Sequence, residues 1–384
     1  MHFEFATAGR ILFGPGRLRE LGPLVAGFGT RALVVGGARG EFRTLVEGLL
    51  APVGVATVPW VVRHEPTLAG AASGAEFARG ERVEVVVAIG GGSVLDAGKA
   101  IAALAMNPGD PLEYVEVIGR GRPLGADPLP LVAIPTTAGT GSEVTRNAVL
   151  SSPEHQVKVS LRSPRMLPRV ALVDPELTLG LSPALTATTG LDALTQLLEA
   201  YVCTRANPMT DGLCREGLVR IARALPEAWR NGTNVEARAG VQWAAMFSGL
   251  ALANAGLGAV HGFAGPIGGR FDAPHGAVCA ALLAPVTAAN VAALRARAPE
   301  GGSLARYGEA AQWLTGRPDA TVDDLAPHLA ERVASMGIRG LGAHGVSERE
   351  FPELIRQARS ASSMKANPVA LSDAELGAVL LAAL

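Results

Sequence analysis

Two histidines in the second half of the chain, His261 and His275, lie in uncharged, glycine-rich sequence. Upstream, Asp192 and Gln196 stand four residues apart in GLDALTQLLEA, where Leu191, Leu194, Leu197, Leu198 and Tyr201 make an apolar stripe of helical period. The aspartate and glutamine therefore share a different face of that helix. Two neutral imidazoles and a carboxylate form a sensible ligand set for a divalent transition metal. Read alone, each histidine is rather a buried, hydrogen-bonded core residue. The other five, His2, His64, His155, His328 and His344, have no comparable setting.

A different chemistry is suggested by GGGSVLD at 90–96, which follows an apolar run and opens a helical pattern. Glycines let a backbone approach a pyrophosphate, and a helix N-terminus offers free N–H groups and a positive dipole end. Ser93 and Asp96 have the spacing of a capping box. The alternative is a glycine-rich turn that binds nothing, and the run is not the GxGxxG fingerprint after a first strand. A second segment, PTTAGTGSEVT at 135–145, falls where a strand should reach the carboxyl edge of a sheet. Open α/β sheets bind ligands at that edge. The hydroxyls of Thr136, Thr137, Thr140, Ser142 and Thr145 suit phosphate, ribose and amide groups. They equally suit a loop that caps its own backbone. Together the two segments favour a nucleotide site.

The elements that must carry these residues change character midway. Apolar runs at 31–37, 55–62, 83–93, 129–137 and 170–176 alternate with helical patterns, the first of them at 40–51. That alternation predicts βαβ units and a mostly parallel sheet covered on both faces. Beyond about 180 the pattern is helical, at 183–202, 207–230, 234–256, 275–294, 303–314, 321–337, 347–360 and 372–383. Ser347 with Glu350, and Ser372 with Glu375, have capping-box spacing. The expected organisation is a dinucleotide-binding α/β domain at 1–180 and an all-α domain at 181–384, with the boundary near 178–184.

Composition narrows the partners. Of 384 residues 48% are hydrophobic, and 34 basic residues balance 35 acidic ones for a net charge of −1. No basic excess is available for nucleic acid or for an anionic membrane surface. Three cysteines, Cys203, Cys214 and Cys279, make no disulfide framework and fit a reducing cytoplasm. The N-terminal segment has Glu4 and no long apolar core, unlike a signal peptide. Residues 239–269 contain no charged side chain, yet hold Gln242, Ser248, Asn254, His261 and Pro266. This reads as buried helical core, because such polar groups would be costly in lipid.

In combination, AIGGGSVLDAGKAI, IPTTAGTGSEVT, VDPELT, GLDALTQLLEA and VHGFAGPIGGRFDAPHG resemble the iron-containing (group III) alcohol dehydrogenases, with the dehydroquinate-synthase-like fold. The resemblance covers nearly the whole chain. It implies an NAD(P)-dependent oxidoreductase with a Rossmann-like α/β domain and a helical metal-binding domain, its site lying in the cleft between them. It implies that Gly91, Gly92 and Ser93 hold the pyrophosphate, with Asp96 in the same turn. Thr136, Thr137 and Thr140 would contact the cofactor and Lys158 its ribose. Asp192, His261 and His275 match the metal ligands, but Gln196 stands where the pattern has histidine. Gly265 stands where many relatives carry a further histidine. An amide oxygen is a poorer ligand than imidazole, so Gln196 weakens a site for Fe or Zn.

The reaction implied is hydride transfer between nicotinamide C4 and a carbonyl carbon. His261 and His275 would act through the metal, and Lys158, water or a ribose hydroxyl would relay the proton. Gly37 replaces the acid expected for NAD, and Arg39 follows it, which suits NADP(H). The substrate would be a small carbonyl or alcohol and the assembly a homodimer. A maleylacetate-reductase-type enzyme with little metal dependence is the first alternative, with Arg270 its one obvious basic residue. A lyase of the dehydroquinate synthase type and a non-catalytic cofactor binder, the latter resting on Gln196 and Gly265, are the others.

Overall fold

The computed structural model describes residues 2–155, 157–271 and 273–384. The chain divides into two compact units, an α/β unit of Ala6–Thr137 with Gly141–Leu179, and a helical unit of Gly180–Leu384 with Met1–Phe5 and Ala138–Thr140. Eight strands belong to the α/β unit: β1 (Arg10–Phe13), β2 (Arg31–Gly37), β3 (Ala56–Val62), β4 (Val85–Gly90), β5 (Leu131–Pro135), β6 (Asn147–Ser152), β7 (Val157–Arg162) and β8 (Val170–Val173). Six of them form a parallel sheet in the order β1-β8-β5-β4-β2-β3, while β6 and β7 pair as an antiparallel hairpin.

The apolar runs exist because both faces of the sheet are covered. Leu33, Val35, Val86 and Ala88 point to one side, into a cluster with Ala71, Ala75, Ala97 and Ile101. These come from α3 (Leu68–Gly80) and α4 (Gly92–Met106), introduced after α1 (Leu21–Ala26) and α2 (Glu41–Leu50) in the chain. Ala32, Val34, Val85, Val87 and Ile89 point to the other, against Leu21, Val25, Val46 and Leu50 of α1 and α2. Successive side chains alternate faces, so a strand buried on both reads as continuous hydrophobe. Gly98 lets α4 lie directly on β4, since a Cβ there would fall 2.6 Å from Ala88 Cβ.

From β2 the chain runs outward to β3, then returns on the far side of β2 to form β4. That reversal is a topological switch point, where carboxyl ends of neighbouring strands diverge and leave a crevice. Gly36 of β2 lies opposite Ile89 of β4, so Gly37 and the turn after Gly90 border that crevice together. Short β1 and the β6–β7 hairpin have no counterpart in the sequence reading. The hairpin strand NAVLSS is buried at every second residue only, a pattern that a search for unbroken apolar runs passes over.

The helical unit contains α5 (Pro183–Val202), α6 (Pro208–Arg230), α7 (Val235–Asn254), α8 (Ala259–Arg270), α9 (His275–Arg297), α10 (Gly302–Thr315), α11 (Val322–Ser335), α12 (Phe351–Ser360) and α13 (Asp373–Ala382). The stretch 239–269 is helical as expected, but α8 falls between the expected helices at 234–256 and 275–294, because AVHGFAGPIGGR holds four glycines and a proline, all poor in helix interiors. The uncharged stretch is thus two helices, α7 and α8, bent by 97° at their junction. Among the described residues, α9 is the single helix long and apolar enough to cross a membrane, and 67% of its apolar window is buried inside the protein. The Ser372–Glu375 capping box forms as expected. The one expected at Ser347 does not: Glu350 is drawn instead into ion pairs with Arg270 and Arg349.

Candidate metal centre and cofactor turn

Helix α5 supplies the anionic side of the cluster. Ser182 caps it by accepting from Leu185 N, and Pro183 opens its first turn. Leu191, Leu194, Leu197 and Leu198 are buried in the helical core. Asp192, Gln196 and Glu199, at i, i+4 and i+7, line another face and are each at most 5% exposed. Buried carboxylates need partners. Glu199 finds them in α8: its Oε1 accepts from Val260 N at 2.7 Å, and its Oε2 from His261 Nδ1 at 2.6 Å. Asn367 Oδ1 accepts from Ala259 N at 3.0 Å. A helix whose own N-cap is Gly258, with no side-chain cap, is therefore capped by two distant residues. With Nδ1 held by Glu199, His261 turns Nε2 toward the cluster, the atom whose lone pair would bind an ion.

Helix α9 begins at His275 and places Cys279 one turn later. Gly276 makes its position attainable, because a Cβ there would run into the Thr188 carbonyl oxygen of α5. The result is one ligand atom each from Asp192, His261, His275 and Cys279, all within 4.8 Å of one another. Asp192 Oδ1 lies 3.3 Å from His261 Nε2 and 3.6 Å from His275 Nε2. Cys279 Sγ lies 3.7 Å from His261 Nε2 and 3.6 Å from His275 Nε2. Zinc-to-ligand lengths of about 2.3 Å to sulfur and about 2.0–2.1 Å to nitrogen and oxygen give tetrahedral edges of about 3.3 Å for O···N and about 3.6 Å for S···N. The Asp192–His261 distance and both sulfur distances match these edges, and Asp192–His275 at 3.6 Å is slightly longer.

Two further observations fit a cation. Asp192 Oδ1 is buried and has no hydrogen-bond partner. The protons are also held tightly. Cys279 and Asp192, against burial, push His275 up to about 9. Burial pushes His261 down, but Cys279, Asp192 and Glu199 outweigh it and hold the ring well above its usual value. Burial pushes Asp192 up, and His275 and His261 overcome it to leave the carboxyl below its usual range. Binding of a divalent ion at these groups would displace their protons. Of the four side chains, His275 is the exposed one, at 36%, so solvent and small molecules reach the cluster from its side.

Gln196 lies beside this group with both ends of its amide in use. Nε2 donates to Asp192 Oδ2 at 3.3 Å and Oε1 accepts from Ser248 Oγ at 2.7 Å. The reverse orientation would set the amide oxygen against the carboxylate. Gln196 was expected as a weak fourth ligand or a bystander, and its oxygen is turned to Ser248. Cys279 and Glu199 were missed. The first is four residues after His275 and the second seven after Asp192, so helical spacing held the signal for both.

In the α/β unit the turn after β4 forms an open cradle. Helix α4 starts at Gly92 with Gly91 as N-cap and no side-chain cap, leaving first-turn N–H groups for an anion. A Cβ at Gly91 would come within 3.3 Å of Thr137 Cγ2, and Thr136 N donates to Gly90 O at 2.9 Å. The expected capping box between Ser93 and Asp96 is absent. The helix begins one residue before Ser93, and Asp96 is taken by Ser142 Oγ at 2.6 Å, Val149 N at 2.9 Å and Lys99 Nζ at 3.1 Å. Buried Lys99 also donates to Ser142 O and Thr145 Oγ1, both at 3.0 Å, and to Asn147 O. These bonds pin the segment that follows Gly141. Gly37 ends β2, with Arg39 exposed beyond it. Lys158 in β7 pairs with Glu65 at 3.4 Å. Thr140 belongs with the helical unit. Around Gly265 no atom would meet an added Cβ within 4 Å.

Comparison with known proteins agrees with this architecture. Residues 8–175 match the model of the iron-containing alcohol dehydrogenase family, and residues 186–384 match that of the family's C-terminal domain. The chain is 38% identical over 313 residues to 1,3-propanediol dehydrogenase of Citrobacter freundii, covering 80% of this chain and 78% of that protein. It is 36% identical over 315 residues to alcohol dehydrogenase 4 of Saccharomyces cerevisiae, covering 82% of this chain and 80% of that protein. The crystal structure of a 1,3-propanediol oxidoreductase superposes with a TM-score of 0.91 at 31% identity, covering 100% of both chains. That of a sulfoacetaldehyde reductase from Bifidobacterium kashiwanohense, in complex with NAD+, does so with a TM-score of 0.86 at 28% identity, covering 100% of this chain and 99% of that one. Built on the parallel sheet and helical unit that its sequence implied, the chain belongs to the iron-containing alcohol dehydrogenase family.

Proposed function

We propose that this oxidoreductase interconverts a small, uncharged aldehyde or ketone and its alcohol, using NADP(H) or NAD(H). The observation that carries the reading is the buried Asp192 oxygen with no hydrogen bond, facing two imidazoles. A divalent ion bound there supplies a Lewis acid for the carbonyl oxygen, and the nicotinamide carries the hydride. Asp192, His261 and His275 would hold the ion. Glu199 orients His261, and the exposed edge of His275 marks where the substrate oxygen approaches. Gly91, Gly92 and Ser93 would receive the pyrophosphate at the uncapped start of α4, with Thr136, Thr137 and Thr140 contributing hydroxyls. Lys158 lies on the strand expected near the ribose, and its pairing with half-exposed Glu65 leaves it exchangeable.

An anionic substrate of the maleylacetate kind loses its support, since Arg270 is already paired with Glu350. We infer a cytoplasmic homodimer; the three cysteines, all free, are in keeping with a reducing compartment. The test is NADPH and NADH oxidation against a panel of aldehydes, ketones and keto acids, with metal content measured on the same sample. Turnover of uncharged carbonyls is expected. Cofactor binding without turnover on any carbonyl would refute the reading.

A further inference from the structure

The metal set has an unexpected member. Cys279 is fully buried and reaches the cluster from the same helix as His275, one turn on. Its sulfur sits at the S···N edges of a zinc-sized tetrahedron from both imidazoles at once. Gln196 has its oxygen engaged by Ser248 and offers Asp192 only an N–H. We propose that Cys279 is the fourth metal ligand, as a thiolate, and that Gln196 is a positioning residue outside the coordination sphere. The inference rests on the metal-assisted reading above and deepens it: with four protein ligands, the substrate oxygen would enter as a fifth ligand from the exposed His275 side.

Two consequences follow from charge and softness. Asp192 and Cys279 together bring two negative charges, so they neutralise a divalent ion. A neutral centre attracts anionic substrates less than one with a single carboxylate, in keeping with uncharged aldehydes and alcohols as substrates. Thiolate is also a soft donor, and with imidazole it selects zinc over iron. The binding step itself is an exchange: the divalent ion enters, and the protons on the Cys279 sulfur and the two imidazoles leave to solvent. No oxidation state changes.

The experiment replaces the native ion by cobalt(II) in the whole protein and records its spectrum. A cobalt–thiolate bond gives an intense sulfur-to-metal charge-transfer band in the near ultraviolet, which oxygen and nitrogen ligands do not. Wild type and Cys214→Ser, whose sulfur is remote from the cluster, are expected to show the band. Cys279→Ser is expected to lose it and to lose zinc affinity. Gln196→Ala, which removes a hydrogen bond to a ligand, should keep the band and lower affinity by about 10–100-fold. Cobalt-loaded wild type without the band, or Cys279→Ser with undiminished band and zinc affinity, overturns the proposal. Carbonyl reduction by a band-free, metal-loaded wild type would sink Cys279 alone. A band without turnover on any carbonyl would sink the dehydrogenase reading alone. Wild type that takes up no ion refutes both the ligand and the metal-assisted step.

Discussion

Glu143 is a buried carboxyl whose Oε1 has no hydrogen-bond partner, in the segment that Lys99 pins beside the cofactor turn. Burial raises it from 4.5 to about 7, against a backbone hydrogen bond and the charge of Lys99. In the unfolded chain the group ionises near 4.5 and in the folded chain near 7. Between those values the unfolded state releases a proton that the folded state keeps. Folding stability therefore falls as pH rises through that window and levels off above it. At about 1.4 kcal/mol per tenfold change in proton affinity, the full loss is about 3 kcal/mol. Glu143→Gln removes the titration while keeping the shape. Unfolding of wild type and variant, compared at matched pH from 5 to 9 with metal content held fixed, should show the variant gaining relative stability. The gain grows up to about pH 7 and is constant beyond. A stability difference that does not change with pH, or one that shrinks as pH rises, would refute the assignment of Glu143 as a neutral buried acid.

Three other perturbations read different parts of the molecule. Gly37→Asp meets no atom within 4 Å of its new Cβ and puts a carboxylate at the switch point; the ratio of kcat/KM for NADH over NADPH should rise about 10–100-fold, the worth of a charged hydrogen bond, and an unchanged ratio would remove Gly37 from cofactor selection. Glu199→Gln weakens the bond that orients His261, and metal affinity measured by competition with a chromophoric chelator should fall about 10–100-fold; equal affinity would show that Glu199 merely caps α8. Lys99→Met leaves Asp96 without its cation, which should cost about 3–5 kcal/mol in denaturant unfolding of the α/β unit; a loss below about 1 kcal/mol would mean that Ser142 and Val149 suffice to hold Asp96.

The parallel sheet was legible because burial on both faces writes itself as unbroken hydrophobe, and β2 runs over 31–37 as read. Helix α5 was legible for a similar reason, its stripe of leucines leaving Asp192 on a separate face. What escaped depended on long-range partners. Helix α8 is stabilised by caps from Glu199 and Asn367, which no local propensity reveals. Asp96 has capping-box spacing, yet its carboxylate is claimed by Lys99, Ser142 and Val149, two of them some fifty residues away in the chain. The metal cluster divides along the same line. The histidines announce themselves by residue type and glycine-rich setting, whereas Cys279 reads as one more apolar residue until α9 is laid against α5.

The central claim is that an ion held by Asp192, His261 and His275 assists carbonyl reduction. Its most direct test is a single titration: strip the protein with a chelator, confirm the metal content is gone, and return zinc or iron stepwise while following NAD(P)H oxidation. The account predicts that turnover vanishes in the stripped protein, returns in proportion to ion bound up to one per chain, and stays orders of magnitude lower in His275→Ala at every step. Full turnover by metal-free protein, retained in His275→Ala, would contradict it.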